Sequence, residues 1–280
     1  MSDYFAGIDV GSTMTKGVIL SDGILASVIG PTGPEQRRLA NKVMEEGLKK
    51  AGLSFQEIAY VVATGYGRIN VPFADKQFTE ITCHAKAIAS LFPGAKTVID
   101  IGGQDVKGIK IDGSGRSTDF VMNDKCAAGS GRFIEVIADT LGVRLDQVGD
   151  LSLQSKNPAK ISNICTIWAQ QEVAASLAEG IRVEDLLAGV HQSLADRICR
   201  TVSRLRVEDD VIVTGGGARN KGLLKALSEQ LGRRVRVPEE PLITGALGAA
   251  LLAKEIVERA IKSKSHPRTK ERILEEIEIL

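Results

Sequence analysis

Gly7-Ile8-Asp9-Val10-Gly11-Ser12-Thr13-Met14-Thr15-Lys16 is the stretch from which the fold can be read. An apolar run ends in an acid, a glycine turn follows, and a lysine leads into Gly17-Val18-Ile19-Leu20. The pattern is strand, tight turn, strand. Glycines let backbone N–H groups come close to a phosphate, and Ser12 and Thr13 beside Gly11 add hydroxyl donors. Asp9 suits a hydrated Mg²⁺, which needs few carboxylates. Lys16 suits phosphate charge. Taken alone, a glycine turn between strands is as often a plain hairpin.

A second copy changes that balance. Thr97-Val98-Ile99-Asp100-Ile101-Gly102-Gly103-Gln104-Asp105-Val106-Lys107 repeats the block, and Ile109 to Ile111 follow it. Asp22-Gly23 and Asp112-Gly113 supply matching hairpin turns. Two such copies predict an α/β chain of two duplicated domains with a nucleotide cleft between them. Asp100 and Asp105 bring carboxylates, Gly102 and Gly103 make the turn, and Gln104 is placed to orient a water toward a γ-phosphate. A third cluster, Gly215-Gly216-Gly217, lies between a strand and a helix and runs on to Asn220. That position allows it to pass under an adenine or ribose. The other common phosphate loops are absent: there is no G-x-x-x-x-G-K-[ST], and Gly129-Ser130-Gly131 holds only the first half of a G-x-G-x-x-G.

Between these loops the periodicities alternate. Ile24 to Ile29 continue the first hairpin. Leu39, Val43, Met44, Leu48 and Ala51 share one helical face that Gly52 closes. Ile58 to Ala63 read as a strand and 77–91 as a helix. Pro93-Gly94 breaks the pattern and sets the domain boundary. We therefore expect a first domain over 1–93, completed by a C-terminal helix around 244–262. A second domain covers 94–243, and 263–280 form a charged tail. In the second domain Phe133, Ile134, Ile137, Ala138 and Leu141 mark a helix that stops at Gly142. Residues 145–162 read as polar and irregular. A helix after Cys165 puts Ile167, Ala174 and Leu177 on one side. Leu186 to Leu205 trace a long helix, Val211 to Val213 a strand, and a helix starts near Lys221. Val235 to Val237 form a short strand, and Ile243 to Ala250 open the last core helix.

The chain has 280 residues, 43% hydrophobic and 25% charged, enough for two domains with real cores. A net charge of +1 and 4% aromatics argue against a nucleic-acid partner. No membrane-length apolar run or secretory leader is present, so the reading is a cytoplasmic chain with reduced cysteines and no membrane partner. Cys83 and Cys199, in helical settings, read as small buried hydrophobes. Cys126 and Cys165 each stand ahead of a helix, where the N-terminus favours a thiolate. His84 and His191 read as helix residues with satisfied partners, and Trp168 as packing near an interface.

The three nucleotide elements in this order resemble those of the actin, sugar kinase and heat-shock chaperone ATPases. Gly7 to Lys16 and Asp100 to Lys107 look like their two phosphate motifs, and Val211 to Asn220 like their adenosine motif. Gly245-Ala246-Leu247-Gly248-Ala249-Ala250 looks like their second connecting helix. The resemblance implies a ribonuclease H-like, actin-like fold in which ATP hydrolysis changes a hinge angle. Asn123-Asp124-Lys125-Cys126-Ala127-Ala128-Gly129-Ser130-Gly131-Arg132-Phe133 resembles something narrower. It is similar to the signature of the ATP-dependent activators of 2-hydroxyacyl-CoA dehydratases, and of the ATPase subunits of benzoyl-CoA reductase. Ala63 to Arg68, Ala74 to Gln77 and Val213 to Gly216 are similar to that family too, and the likeness runs from about Ala6 to Ala253.

This second resemblance implies ATP/ADP and Mg²⁺ as ligands, with Asp9, Gln104 and Asp105 at the hydrolytic centre. It implies a [4Fe–4S] cluster held by Cys126 and Cys165. A cubane takes four thiolates, so two per chain give one cluster per homodimer, bridged across its two-fold axis. The implied partners are an iron–sulfur dehydratase or reductase, and a ferredoxin or flavodoxin as electron donor. Two other readings stay open. A small-molecule kinase would use a carboxylate such as Asp105 as general base, and a nucleotide sensor would bind without turnover.

Overall fold

The computed structural model describes residues 4–123, 126–267, 269, 272 and 274. Asp124 and Lys125 of the cysteine motif lie outside the described residues, as do 268, 270, 271, 273 and 275–280 of the expected tail. The chain divides into two units. The first comprises Met1–Pro93, Gly113–Ser117 and Leu242–Leu280; the second comprises Gly94–Asp112 and Thr118–Pro241.

In the first unit β1 (Tyr4–Val10), β2 (Met14–Leu20) and β3 (Ile24–Pro31) make an antiparallel meander. Helix α1 (Gln36–Ala51) follows and ends on Gly52, whose φ of 68° is the left-handed cap that glycine adopts without strain. β4 (Ile58–Thr64) returns parallel to β1, and the short β5 (Lys76–Gln77) pairs parallel with β4. Helix α2 (Glu80–Leu91) starts under a Thr79 cap. The strand order is β3-β2-β1-β4-β5.

The second unit repeats the plan. β6 (Thr97–Ile101), β7 (Val106–Ile111) and β8 (Ser117–Met122) lie side by side. Helices α3 (Gly131–Leu141), α4 (Val148–Ser152), α5 (Thr166–Ala178) and α6 (Val183–Val202) follow. β9 (Val211–Thr214) then pairs parallel with β6, helix α7 (Lys221–Leu231) follows, and β10 (Val235–Arg236) pairs parallel with β9. The order β10-β9-β6-β7-β8 is that of the first sheet read from its other edge. The expected duplication is therefore present strand for strand.

Helix α8 (Thr244–Lys262) completes the first unit. A side chain at Gly7 of β1 would run into the Ala246 carbonyl and lie 2.9 Å from Ala249 Cβ, so glycine is what lets α8 rest directly on the strand. Beyond α8 the chain returns to the same unit. Arg272 Nη2 donates to the Ile58 carbonyl at 2.7 Å, its Nη1 lies 3.3 Å from Asp75 Oδ2, and Leu274 packs against the core around Phe55 and Phe73. That core also holds Ile8, Val10, Val43 and Met44; the second unit's core gathers Ile99, Ile101, Phe133, Ile137, Leu186 and Val213. Each large side chain so buried contributes about 2 kcal/mol. No helix among the described residues is long and apolar enough to cross a membrane.

Local structure departs from the sequence reading in four places. The helix expected over 77–91 begins at Glu80, because Lys76–Gln77 joins the sheet. Residues 145–162 contain the five-residue α4. The strand β8 carries no expectation at all. Finally, α5 buries Ala169 and Val173, while Ile167, Ala174 and Leu177, the apolar side noted in the sequence, are exposed.

Candidate functional site

Each unit builds the same constellation at the ends of its central strands. Asp9 is the penultimate residue of β1 and pairs in register with Lys16 of β2. Their side chains form a nearly buried ion pair, Lys16 Nζ to Asp9 Oδ2, at 3.0 Å. In the second unit Asp100 of β6 pairs in register with Lys107 of β7. The Lys107 ammonium is buried between two acids, 3.5 Å from Asp100 Oδ2 and 2.7 Å from Asp105 Oδ1. Hairpin geometry thus explains the matching Asp-to-Lys spacing: the register of an antiparallel pair puts both side chains on one face.

Parallel pairing adds a third member that the sequence reading did not single out. Asp9 lies beside Thr64, and Asp100 beside Thr214. Each threonine precedes a glycine of positive φ, Gly65 at 86° and Gly215 at 79°. A side chain at Gly65 would run into Asp9 Oδ1, and one at Gly215 would come within 2.8 Å of Asp100 Oδ1. Gly245 leaves Asp9 open in the same way, since a Cβ there would sit 2.7 Å from Oδ2. The Thr214 hydroxyl donates to Asp100 Oδ1 at 2.9 Å. The signal was in the sequence, because Ala63-Thr64-Gly65 and Val213-Thr214-Gly215 occupy equivalent places after equivalent strands.

The turns themselves are tight. Gly11 N donates to the Met14 carbonyl at 3.1 Å, and Gly102 N to the Asp105 carbonyl at 2.9 Å. Ser12, Thr13 and Gly103 are half-exposed, and Gln104 is exposed at its turn. Gly216 and Gly217 lie in a short 3-10 turn that leads to Asn220. Asn220 caps α7 by accepting from Leu223 N at 3.0 Å.

The Cys126 segment is tied to the second of these turns. The first amides of α3, Gly131 and Arg132, donate to the carbonyls of Gly102 and Gly103 at 2.9 and 3.0 Å. Ser130 Oγ lies 3.0 Å from the Gly103 carbonyl. Asn123 Oδ1 accepts from Val106 N at 2.7 Å, and its Nδ2 donates to the Gly129 carbonyl at 3.0 Å. A 3-10 turn over Ala127–Gly129 separates Cys126 from α3. Cys126 therefore does not sit at the start of the helix itself, whose leading amides are engaged elsewhere.

Cys165 directly precedes α5, and its carbonyl accepts the first helical bond, from Ala169 N at 3.0 Å. Arg197 of α6 stands between the two cysteine segments. Its Nη1 donates to the Asn163 carbonyl at 2.6 Å, and its Nε lies 3.0 Å from where a Cβ on Gly129 would be.

The four cysteines differ in kind. Burial pushes the Cys83 thiol up to about 12 and that of Cys199 up to about 11, so both stay protonated. Cys126 and Cys165 are half-buried. Beside Cys165 the Thr166 hydroxyl is buried with no hydrogen-bond partner among the described residues. Around it Ile164, Ile167 and Trp168 are 70%, 62% and 61% exposed, so the packing expected of Trp168 is not found within the chain. Among the described residues no three His, Cys, Asp or Glu side chains converge as a metal site. Two thiols from one chain are half of a cubane's set.

Comparison with known proteins finds relatives that match most of the chain. The model of the BadF/BadG/BcrA/BcrD ATPase family matches residues 6–253. The 2-hydroxyisocaproyl-CoA dehydratase activator of Clostridioides difficile is 44% identical over 257 residues, which span 89% of this chain and 94% of that protein. The activator of lactoyl-CoA dehydratase of Anaerotignum propionicum is 45% identical over 263 residues, 91% of this chain and 99% of that one. A solved structure of the Clostridium difficile activator with bound ADPNP superposes with a TM-score of 0.88 at 42% identity, covering 93% of this chain and 97% of its own.

Proposed function

The chain belongs to the BadF/BadG/BcrA/BcrD ATPase family, and from that membership we propose that it is an ATP-driven activator passing single low-potential electrons to a partner 2-hydroxyacyl-CoA dehydratase or a related double-cubane reductase. The observation that carries the reading is the hydrogen-bonded join between the Gly102-Gly103 turn and the Cys126 segment. A nucleotide-dependent shift of that turn is mechanically a shift of Cys126.

We assign the ATP phosphates to Gly11, Ser12, Thr13 and Lys16, and to Asp100, Gly102, Gly103 and Gln104. The nucleoside goes to Gly215, Gly216, Gly217 and Asn220. Asp9, left open by Gly65 and Gly245, would hold Mg²⁺ through water, which fits a cation that keeps its hydration shell. Gln104 would orient the attacking water, and Asp105 would set the position of Lys107. Hydrolysis breaks the γ-phosphoryl bond with water and releases ADP and phosphate.

Cys126 and Cys165 would hold a [4Fe–4S] cluster, which supplies one-electron chemistry when bound. Two features support this donor set: the unpaired Thr166 hydroxyl can donate to a cluster sulfur, and the other two cysteines are held as thiols. The outward apolar collar of Ile164, Ile167 and Trp168 supports a second copy covering Cys165. Ferredoxin or flavodoxin is the fitting donor class. A kinase reading is disfavoured because Asp105, a candidate for its base, is engaged by Lys107 at 2.7 Å.

The test is anaerobic purification with iron, sulfide and EPR measurement alongside solution mass. We expect one four-iron cluster per dimer, and ATPase activity that rises with the redox partner. An iron-free monomer after anaerobic reconstitution would overturn the cluster reading.

A further inference from the structure

We propose that His191, reading through Asn220, is a positioning residue for the nucleoside end of the bound nucleotide. The inference rests on the assignment of Asn220 to that nucleotide. His191 lies within the second unit on α6, 1% exposed, and touches two other helices. Its Nε2 is 2.9 Å from Asn220 Nδ2, and its Nδ1 is 2.9 Å from Ser152 Oγ on α4. Ser152 Oγ lies 2.8 Å from the Gly149 carbonyl.

The direction of every bond follows from one end. Asn220 Oδ1 accepts from Leu223 N, so the amide nitrogen faces His191. An amide nitrogen only donates, so Nε2 carries the lone pair and Nδ1 the proton. Nδ1–H then donates to Ser152, whose own hydrogen goes to Gly149. No member can flip without breaking the chain. Burial pushes the imidazole down to about 4, so it stays neutral and keeps accepting at physiological pH.

Two glycines make the assembly possible. A Cβ on Gly222 would run into Ser152 Oγ and come within 2.6 Å of His191 Nδ1. One on Gly149 would come within 3.0 Å of Asn220 Oδ1. Capping α7 does not require any of this. A cap needs only the side-chain oxygen, and Asp or Ser would serve. The buried histidine instead fixes the amine end of the amide. Asn220 is half-buried and its amine has a second N–H, which the network aims in one direction. That is the arrangement of a held donor for a ribose or adenine acceptor.

The experiment measures binding of Mg-ADP and of inorganic tripolyphosphate by calorimetry, with melting temperature recorded in parallel. In His191→Leu the amine loses its acceptor. We expect Mg-ADP affinity to fall about five- to tenfold, the size of one hydrogen-bond orientation, with tripolyphosphate affinity unchanged. His191→Gln, whose amide oxygen can replace Nε2, should restore most of the loss. The His191→Leu/Asn220→Ala double variant should bind no more weakly than Asn220→Ala alone. Should His191→Leu fail to fold, Ser152→Ala, which unseats Nδ1, gives the same readout. If Asn220→Ala weakens Mg-ADP while neither His191→Leu nor Ser152→Ala does, the positioning role is overturned and the nucleotide assignment stands. If Asn220→Ala changes nothing, the assignment of Asn220 falls and the inference with it.

Discussion

The buried imidazole of His191 makes the second unit sensitive to acid in a calculable way. In the unfolded chain it titrates near 6.5, and in the folded chain near 4, with burial as the cause. Asp150 of α4 and Lys221 of α7, charged surface residues on the helices packed against α6, pair with each other at 3.1 Å. Between the two values the unfolded state binds a proton that the folded state refuses. Stability therefore rises with pH across this window, and is lost as pH falls from 6.5 toward 4. The gap corresponds to about 3 kcal/mol once the pH is below both values, most of which is already lost at pH 4.5. Urea unfolding of the wild type and His191→Gln at pH 7.5 and 4.5 isolates the contribution, because every other titrating group is common to both proteins. The wild type should lose about 2–3 kcal/mol more than the variant on acidification. Equal losses in the two proteins would refute the argument that this imidazole is held neutral by burial.

Three further outcomes follow from the geometry. Gly65→Ala places a side chain against Asp9 Oδ1 at a φ of 86°; we expect a loss of about 1–2 kcal/mol from the backbone alone, seen in the melting temperature, and an ATPase rate reduced about tenfold or more by the displaced carboxylate. Cys126→Ser and Cys165→Ser should each abolish iron retention after anaerobic reconstitution, whereas Cys83→Ser and Cys199→Ser should keep it, measured by iron and sulfide content. Arg272→Ala removes the guanidinium from a fully buried Asp75 carboxylate and from the Ile58 carbonyl; it should cost about 2–3 kcal/mol of stability, read by chemical unfolding, although Arg272 lies far along the chain from its partners.

Much of this architecture was legible because it is local. The Asp9-to-Lys16 and Asp100-to-Lys107 turns announce themselves through strand alternation, glycine and spacing, and α1 through its apolar face and Gly52. The parts that were not legible fail for different reasons. Lys76–Gln77 is too short to show alternation, and α4 too short to show a helical period. For α5 the period was right and its meaning was not: Ile167, Ala174 and Leu177 do share a side, but periodicity says nothing about what covers that side. The Ser152, His191 and Asn220 network joins residues 39 and 29 positions apart, and no local pattern marks it. Thr64 and Thr214 sit in between, since they become visible once the two halves are laid over each other.

The first unit is closed by α8, which is encoded after the whole second unit, and this sets an order of assembly during synthesis. Until α8 emerges, β1 and β4 lack the helix that covers Phe5, Tyr60 and Val62. The second unit, almost contiguous from Gly94 to Pro241, has everything its own core requires before that moment. On the ribosome the later-encoded half is thus the first able to finish, while the N-terminal half waits with an open sheet face for α8. A chain stalled before residue 244 would present a completed cysteine-bearing unit attached to an aggregation-prone one.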